Sequence, residues 1–276
     1  MDIFYTQANE KAKGGDMRVA IVTGAGSGIG LETVRKLTEA GTAVLGVGRD
    51  TAKLAALADV AADPALVATF AADLTEDDAP RRIVEAAMAR WGRIDHLVNN
   101  AGIGRPTPVG ETDDATLDYV LALMLRAPFR LMREALPHLK DGASIVNLTS
   151  TFAVVGGLRG GPYSAAKAGL TGLTLHMAAH YGARGIRCNA VAPGVVPTPM
   201  TEGRLDDPGF IKMNVHMTPY PRLGRAEDIA NVIAFLCSPA SEMINGQTIL
   251  VDGGWATTKY LSETGLKSDW VMPPEG

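Results

Sequence analysis

Cysteine is scarce in this sequence. Two cysteines occur among 276 residues, Cys188 and Cys237, both in apolar surroundings and neither in a CxxC pair. A chain of this length buries about three quarters of its unfolded surface and needs no covalent staples. We therefore expect two buried free thiols, a state that fits the reducing cytoplasm, and we assign no metal ligand.

Long apolar runs and an excess of basic residues are also missing. No run of about 18 apolar residues, the length of a membrane span, occurs, and Met1 to Asp16 contains no apolar core of signal-peptide length. The formal net charge of −4 provides no basic surface for nucleic acid or for an anionic membrane. These properties predict a soluble cytoplasmic protein that binds neither.

A glycine-rich turn follows the first predicted strand. The run 18–22 is short, apolar and β-branched, the glycines lie within 23–30, and a helical pattern occupies 31–40. Glycine lets a backbone approach a pyrophosphate closely, and the free N–H groups of a helix start favour negative charge. This order of strand, turn and helix predicts a dinucleotide site.

The end of the second predicted strand bears on the choice of dinucleotide. A carboxylate there would bind a ribose 2′-hydroxyl, whereas an arginine would accept a 2′-phosphate. Gly48 stands where the carboxylate is expected, and Arg49 is next to it. This favours NADP(H). Alternatively, Arg49 is a solvated turn residue and Asp50 binds the ribose or caps a helix, which would suit NAD(H).

Strands and helices alternate through the chain, with no internal repeat and no linker. This alternation predicts a single-domain α/β fold, a Rossmann-like doubly wound parallel sheet of about seven strands with helices on both faces. We expect a flexible lead at 1–16, the domain at 17–255 and a tail at 256–276. The predicted strands are 18–22, 43–47, 67–71, 94–98, 143–148, 186–191 and 248–251, and the predicted helices include 51–58, 78–91, 116–139 with an interruption near Pro128, and 227–236.

Polar residues stand at the ends of several of these strands. Asp73 follows the third strand and either accepts a hydrogen bond from an adenine amino group or caps the next helix. Asn99 and Asn100 follow the fourth strand, where such sheets bind ligands. The region at about 198–222 is apolar and without period, so we interpret it as a substrate lid, while its packing inside an oligomer is the alternative.

Tyr163 and Lys167 are four residues apart in a helical pattern. Residues at this spacing share one helix face, about 5–6 Å apart at Cβ. A charged ammonium beside a phenol favours the phenolate, so we expect the pKa of Tyr163 to be lowered toward the range of an acid or base. A chance pairing on a helix surface is the alternative, and the other motifs decide between them.

Taken together, these motifs resemble those of the short-chain dehydrogenase/reductase family over roughly residues 17–255. The residues that carry the resemblance are Thr23 to Gly30, Asp73, Asn99-Asn100-Ala101-Gly102, Ser150 at 13 residues before Tyr163, Tyr163 with Lys167, Pro193-Gly194 with Thr198, and Asn245 to Gly254. The Tyr-to-Lys spacing argues against the enoyl reductases of the family.

The resemblance implies an NAD(P)-dependent oxidoreductase that interconverts a secondary alcohol and a ketone. Ser150 would bind the substrate oxygen, Tyr163 would transfer the proton, and Lys167 would lower the pKa of the phenol and hold the nicotinamide ribose. The substrate is expected to be partly apolar. The implied cofactor contacts are Gly24, Ser27, Gly28, Ile29, Gly30, Arg49, Asp73, Leu74, Asn100, Ala101, Gly102, Tyr163, Lys167, Pro193, Gly194, Val196 and Thr198.

One position departs from the family pattern. Met124 stands where many members have an asparagine that helps to hold a proton-relaying water near the lysine. A thioether cannot donate that hydrogen bond. The alternative function is therefore a catalytically weakened regulator or scaffold that binds a dinucleotide. The family is usually dimeric or tetrameric, so we also expect a homo-oligomer, a tetramer included, built on the helices at about 112–139 and 162–182.

Overall fold

One parallel sheet forms the centre of the protein. The computed structural model describes residues 17–104, 107–157 and 160–267; the predicted lead at 1–16 and positions 268–276 of the tail lie outside them. The sheet has the strand order β3-β2-β1-β4-β5-β6-β7. Its strands are β1 Val19–Thr23, β2 Ala43–Gly48, β3 Val67–Ala71, β4 Ile94–Asn99, β5 Leu139–Leu148, β6 Arg187–Pro193 and β7 Thr248–Val251. The predicted doubly wound sheet is confirmed.

Helices cover both faces of the sheet, which explains why its central strands are apolar on both sides. In β1, Ile21 points into one core and Ala20 and Val22 point into the other, and all three are fully buried. The described helices are α1 Gly28–Glu39, α2 Thr51–Ala55, α3 Leu57–Val60, α4 Ala79–Trp91, α5 Asp114–Leu121, α6 Ala127–Ala135, α7 Gly161–Tyr181, α8 Pro208–Asn214, α9 Ala226–Cys237 and α10 Glu263–Leu266. No helix in the described ranges has the length and apolar character to cross a membrane.

The predicted helix at 116–139 is wrong at its end. The helix stops at Ala135, and Leu139 already belongs to β5, where it pairs with Ile94. The apolar side chain of Leu139 fits the pattern of a helix as well as that of a strand, and only its pairing with β4 decides between them. The predicted interruption is a π-helical turn at Ala122–Arg126, and Pro128 falls in the first turn of α6, where proline is tolerated.

The region at 198–222 contains regular structure that its sequence pattern did not predict. A 3₁₀ turn spans Glu202–Arg204, and α8 follows it, with the Asp207 carboxylate accepting a 2.6 Å hydrogen bond from the Phe210 amide. A helix of seven residues is too short to show a clear period. Both cysteines are buried and free, as predicted.

Candidate functional site

The glycine turn brings two backbone segments into close contact at the carboxyl end of β1. A Cβ atom on Gly30 would lie 2.1 Å from the carbonyl oxygen of Gly24, and Gly24 itself has a φ of 65°. The side-chain amide of Asn100 donates to the carbonyls of Thr23 and Gly24, at 2.9 and 3.1 Å. The fourth strand therefore holds the turn in place.

The start of α1 is suited to an anion. Ser27 is the N-cap residue, but its side chain makes no capping hydrogen bond, and the first turn contains no acidic residue. The N–H groups at this helix end are thus left for a ligand, and they favour negative charge. Thr198 packs against this turn, because a Cβ on Gly28 would lie 3.0 Å from its methyl group. The residues present fit a dinucleotide pyrophosphate.

Thr23 has a role that the sequence reasoning missed. Its hydroxyl oxygen accepts hydrogen bonds from the backbone amides of Asn100 and Ala101, at 3.0 and 3.1 Å. This side chain therefore fixes the loop after β4 relative to the turn after β1. The available signal was a hydroxyl residue at the last position of the first strand, directly before the glycines.

Arg49 and Asp73 lie at the same edge of the sheet, beside an open cavity of about 350 Å³. Asp73 accepts hydrogen bonds from the amide and the hydroxyl of Thr75 and lies 3.8 Å from Arg49, so it closes a local turn and does not cap α4, whose N-cap residue is Asp78. Burial opposes ionisation of Asp73, but the bonds from Thr75 and the charge of Arg49 outweigh it and lower the pKa of this carboxyl. Asp50 caps α2 instead, accepting from the amides of Ala52 and Lys53.

Ser150, Tyr163 and Lys167 meet at the end of β5. Ser150 follows this strand, and its hydroxyl lies near enough to the Tyr163 phenol, in the first turn of α7, to favour the phenolate. The Lys167 ammonium lies 5.8 Å from the centre of the Tyr163 ring and donates a 2.5 Å hydrogen bond to the Leu148 carbonyl. The helix spacing thus brings phenol and ammonium together, and the strand end adds the hydroxyl.

Comparisons with known proteins agree with this geometry. Residues 24–256 match a family model described as enoyl-(acyl carrier protein) reductase. The chain is 40% identical to cis-4-hydroxycyclohexanecarboxylate dehydrogenase of Sinomonas cyclohexanicum, over 86% of this chain and 96% of that protein. It is 37% identical to levodione reductase of Leifsonia aquatica, over 86% of this chain and 93% of that protein.

The chain belongs to the short-chain dehydrogenase/reductase family. A solved structure with 32% sequence identity, a blue fluorescent protein from a metagenomic library in complex with NADPH, aligns with a TM-score of 0.80 over 87% of this chain and 98% of that one. The names of the relatives identify this chain as a short-chain dehydrogenase/reductase that acts on CH–OH groups. Within the part of the chain that the structure describes, no cluster of three potential metal ligands occurs.

Burial dominates the electrostatics of this family member's Tyr163 and Lys167. It raises the pKa of the Tyr163 phenol against the opposing hydrogen bond from Ser150, and it lowers the pKa of Lys167 to about 8. The expectation of a lowered phenol pKa is therefore wrong in this structure, because the phenol loses more solvation on ionising than the Ser150 hydroxyl returns.

Met124 lies beside this pair. It is 1% exposed, in the π-helical turn, and a Cβ on Gly102 would be 3.3 Å from its sulfur and 3.8 Å from the Lys167 ammonium. A thioether is at best a weak hydrogen-bond acceptor. An apolar side chain thus lies near the ammonium, at the position where the family pattern has an amide.

Two of the predicted cofactor-binding residues, Leu74 and Val196, can contact a dinucleotide only through backbone atoms. The side chains of Leu74 and Val196 are buried in the two apolar cores. Gly194 packs against Asp252, where a Cβ would lie 2.9 Å away, and its amide donates to the Val251 carbonyl after Pro193 ends β6. The segment after β6 is therefore tied to the end of β7.

An aromatic pair borders the site on the side of the predicted lid. The rings of Phe152 and Trp255 are 6.0 Å apart, and the Phe152 amide donates to the Ser150 hydroxyl at 3.2 Å. The Trp255 indole donates a 2.7 Å hydrogen bond to the Met213 carbonyl in α8. Met200 packs over Gly104. The tail also contacts this region, since the Ser262 amide donates to the His216 carbonyl.

Proposed function

We propose that this protein is an NADP(H)-preferring oxidoreductase that interconverts a secondary alcohol and a ketone, with Tyr163 as the acid and base. The observation that carries the proposal is the position of the Tyr163 phenol, which lies near the Ser150 hydroxyl and has the Lys167 ammonium 5.8 Å from its ring centre. Purified protein should reduce ketones with NADPH; no turnover over a broad panel of ketones and alcohols would contradict the proposal.

In this proposal each side chain of the site has one role. Ser150 binds the substrate oxygen and orients it toward Tyr163, whose phenol donates a proton during reduction and accepts one during oxidation. Lys167, held by the Leu148 carbonyl with its ammonium 5.8 Å from the Tyr163 ring centre, would bind the nicotinamide ribose. The bound dinucleotide supplies or accepts the hydride at its nicotinamide ring. Its pyrophosphate is assigned to the glycine turn and its adenosine to the cavity beside Arg49 and Asp73.

The preference for NADP(H) depends on Arg49, which is exposed at the edge of that cavity and can pair with a 2′-phosphate. We expect Arg49→Ala to lower kcat/KM for NADPH at least about ten-fold and to change kcat/KM for NADH less than two-fold. The ten-fold loss corresponds to one or more exposed charge-assisted hydrogen bonds. Steady-state kinetics with both cofactors measures this.

Lys53→Ala is the matched control, because it removes a nearby exposed cation that pairs with Asp50. An equal loss with both cofactors in Arg49→Ala would contradict the preference and would favour the NAD(H)-dependent alternative.

The substrate is proposed to be a partly apolar secondary alcohol or ketone. The aromatic pair Phe152 and Trp255 provides apolar surface near Ser150, and the Met200 side chain adds apolar surface over Gly104. A relative of this chain is named for a hydroxycyclohexanecarboxylate. Ring-containing alcohols and ketones therefore come first in the assay panel, compared with open-chain ketones of equal carbon number.

Met124 favours a second candidate, a dinucleotide-binding regulator or scaffold with weakened catalysis. Calorimetry that shows tight dinucleotide binding in a protein without turnover would support it. The apolar contact beside Lys167 is the specific observation, since a proton relay through this lysine requires polar neighbours.

Met124→Asn tests the effect of that contact. An amide oxygen near the ammonium favours its charged form, so the pKa of Lys167 should rise above about 8. A lysine with a raised pKa keeps its positive charge to higher pH. The inflection in the pH profile of kcat that reports Lys167 should therefore move upward by about one pH unit, which is equivalent to about 1.4 kcal/mol. A pH profile of kcat measures it.

Met124→Leu is the control, because it conserves volume and stays apolar. It should leave the inflection in place. An unchanged inflection in Met124→Asn, with folding verified by circular dichroism, would contradict the coupling between residue 124 and Lys167.

We also propose a homo-oligomer, a dimer or tetramer, in the cytoplasm. Phe129 and Leu175 expose half of their surface on α6 and α7, and Met243 is 94% exposed near the sheet edge formed by β7. Such apolar surface is suited to contact with a second copy. Light scattering at micromolar concentration tests this, and a monomer would contradict it.

A further inference from the structure

A hydrogen bond joins the proposed 2′-phosphate residue to a helix that sequence reasoning did not connect with it. The Arg49 Nη1 donates to the hydroxyl of Tyr119 at 3.1 Å, across 70 positions of sequence. Arg49 follows β2, whereas Tyr119 belongs to α5. The same Nη1 lies 3.8 Å from the Asp73 carboxylate. Two neighbours therefore hold one end of the guanidinium.

The two contacts differ in their electrical effect. Asp73 is a charged partner and competes with an incoming phosphate for the arginine. Tyr119 is neutral, so its bond restricts the guanidinium without cancelling its charge. Because both contacts use Nη1, the Nε and Nη2 donors point elsewhere on the planar group. Those two donors form the fork that binds a phosphate in a bidentate manner.

Restricting the Arg49 guanidinium affects phosphate binding because the Arg49 side chain is 61% exposed. A long exposed side chain samples many rotamers, and fixing one of them reduces the affinity for the phosphate. A neighbour that restricts the rotamers before binding increases the affinity by lowering that cost.

We propose that Tyr119 is a positioning residue for Arg49 and that its hydroxyl increases the selectivity of the site for a 2′-phosphorylated dinucleotide. This inference rests on the proposed NADP(H) preference. Tyr119 acts through Arg49 and contacts no reacting atom.

The test compares dinucleotide affinities by calorimetry, which needs no substrate. We expect Tyr119→Phe to raise the Kd for NADPH about five-fold, the factor for one neutral hydrogen bond, and to leave the Kd for NADH within two-fold. In the Arg49→Ala background, Tyr119→Phe should have no further effect on NADPH binding, because the positioned group is gone.

Tyr181→Phe is the matched control, since Tyr181 ends α7 and contacts His180. It should change neither affinity, and both variants should keep the melting temperature. If Tyr119→Phe leaves the Kd for NADPH unchanged while Arg49→Ala raises it relative to the Kd for NADH, the role of Tyr119 is overturned and the cofactor preference stands. If Arg49→Ala leaves the ratio of the two affinities unchanged, the cofactor preference fails and the inference fails with it.

Discussion

Tyr163→Phe is expected to lower kcat at least about a thousand-fold, within the range that a positioned acid or base contributes, while the Kd for NADPH changes less than three-fold. The substitution removes one oxygen and keeps the ring beside Lys167. The Ser150 hydroxyl keeps its hydrogen bond from the Phe152 amide, so the free energy of unfolding should change by no more than about 1 kcal/mol and the protein should stay folded. Steady-state kinetics with calorimetry separates the loss of chemistry from the loss of binding.

The direction of the reaction should respond to pH in a defined way. Burial raises the pKa of Tyr163, so the phenol stays protonated through neutral pH, the form that donates a proton to a ketone. Alcohol oxidation needs the phenolate and should therefore have its optimum at higher pH than ketone reduction. Wild-type kcat in Tyr163→Phe, or the opposite order of optima, would contradict the assignment of Tyr163.

Gly30→Ala is expected to have the largest effect on stability. An added Cβ would lie 2.1 Å from the Gly24 carbonyl oxygen and 2.7 Å from the Asn100 side-chain nitrogen. The first atom is backbone in a turn held by the fourth strand, and it cannot move away without breaking the hydrogen bonds from Asn100. We expect a loss of at least about 3 kcal/mol of unfolding free energy, the upper range for overpacking, together with the loss of dinucleotide binding.

Gly110→Ala provides the comparison for that substitution. Gly110 lies in the 3₁₀ turn Val109–Glu111, and a Cβ there would meet no atom within 4 Å. Its unfolding free energy should change by no more than about 1 kcal/mol, toward greater stability, because alanine has less freedom than glycine in the unfolded chain. Urea unfolding of both variants measures the difference. Equal stability of Gly30→Ala and the wild type would show that the turn can relax.

The features of the candidate site that could be predicted from the sequence are local patterns. The glycine turn follows directly from residues 23–30, and the shared helix face of Tyr163 and Lys167 follows from their spacing. The sheet was predicted from short apolar runs, since a strand covered on both faces has to be apolar throughout. Asp73 does not cap the next helix, because that helix begins after Asp78 and Asp73 accepts its hydrogen bonds from Thr75; the adenine contact stays a prediction.

By itself, the sequence determined the order of strands and helices, the position of the glycine turn and the type of chemistry that its motifs indicate, since each depends on neighbouring residues. Only the tertiary structure decided that Leu139 is a strand residue, that Tyr119 holds Arg49, that Leu148 holds Lys167 and that Trp255 is bonded to α8. Each of these contacts joins residues far apart in the chain, and their distances follow from how helices pack on the sheet. The raised pKa of Tyr163 has the same origin, because burial is a property of the packed fold and outweighs the opposing effect of the Ser150 hydroxyl.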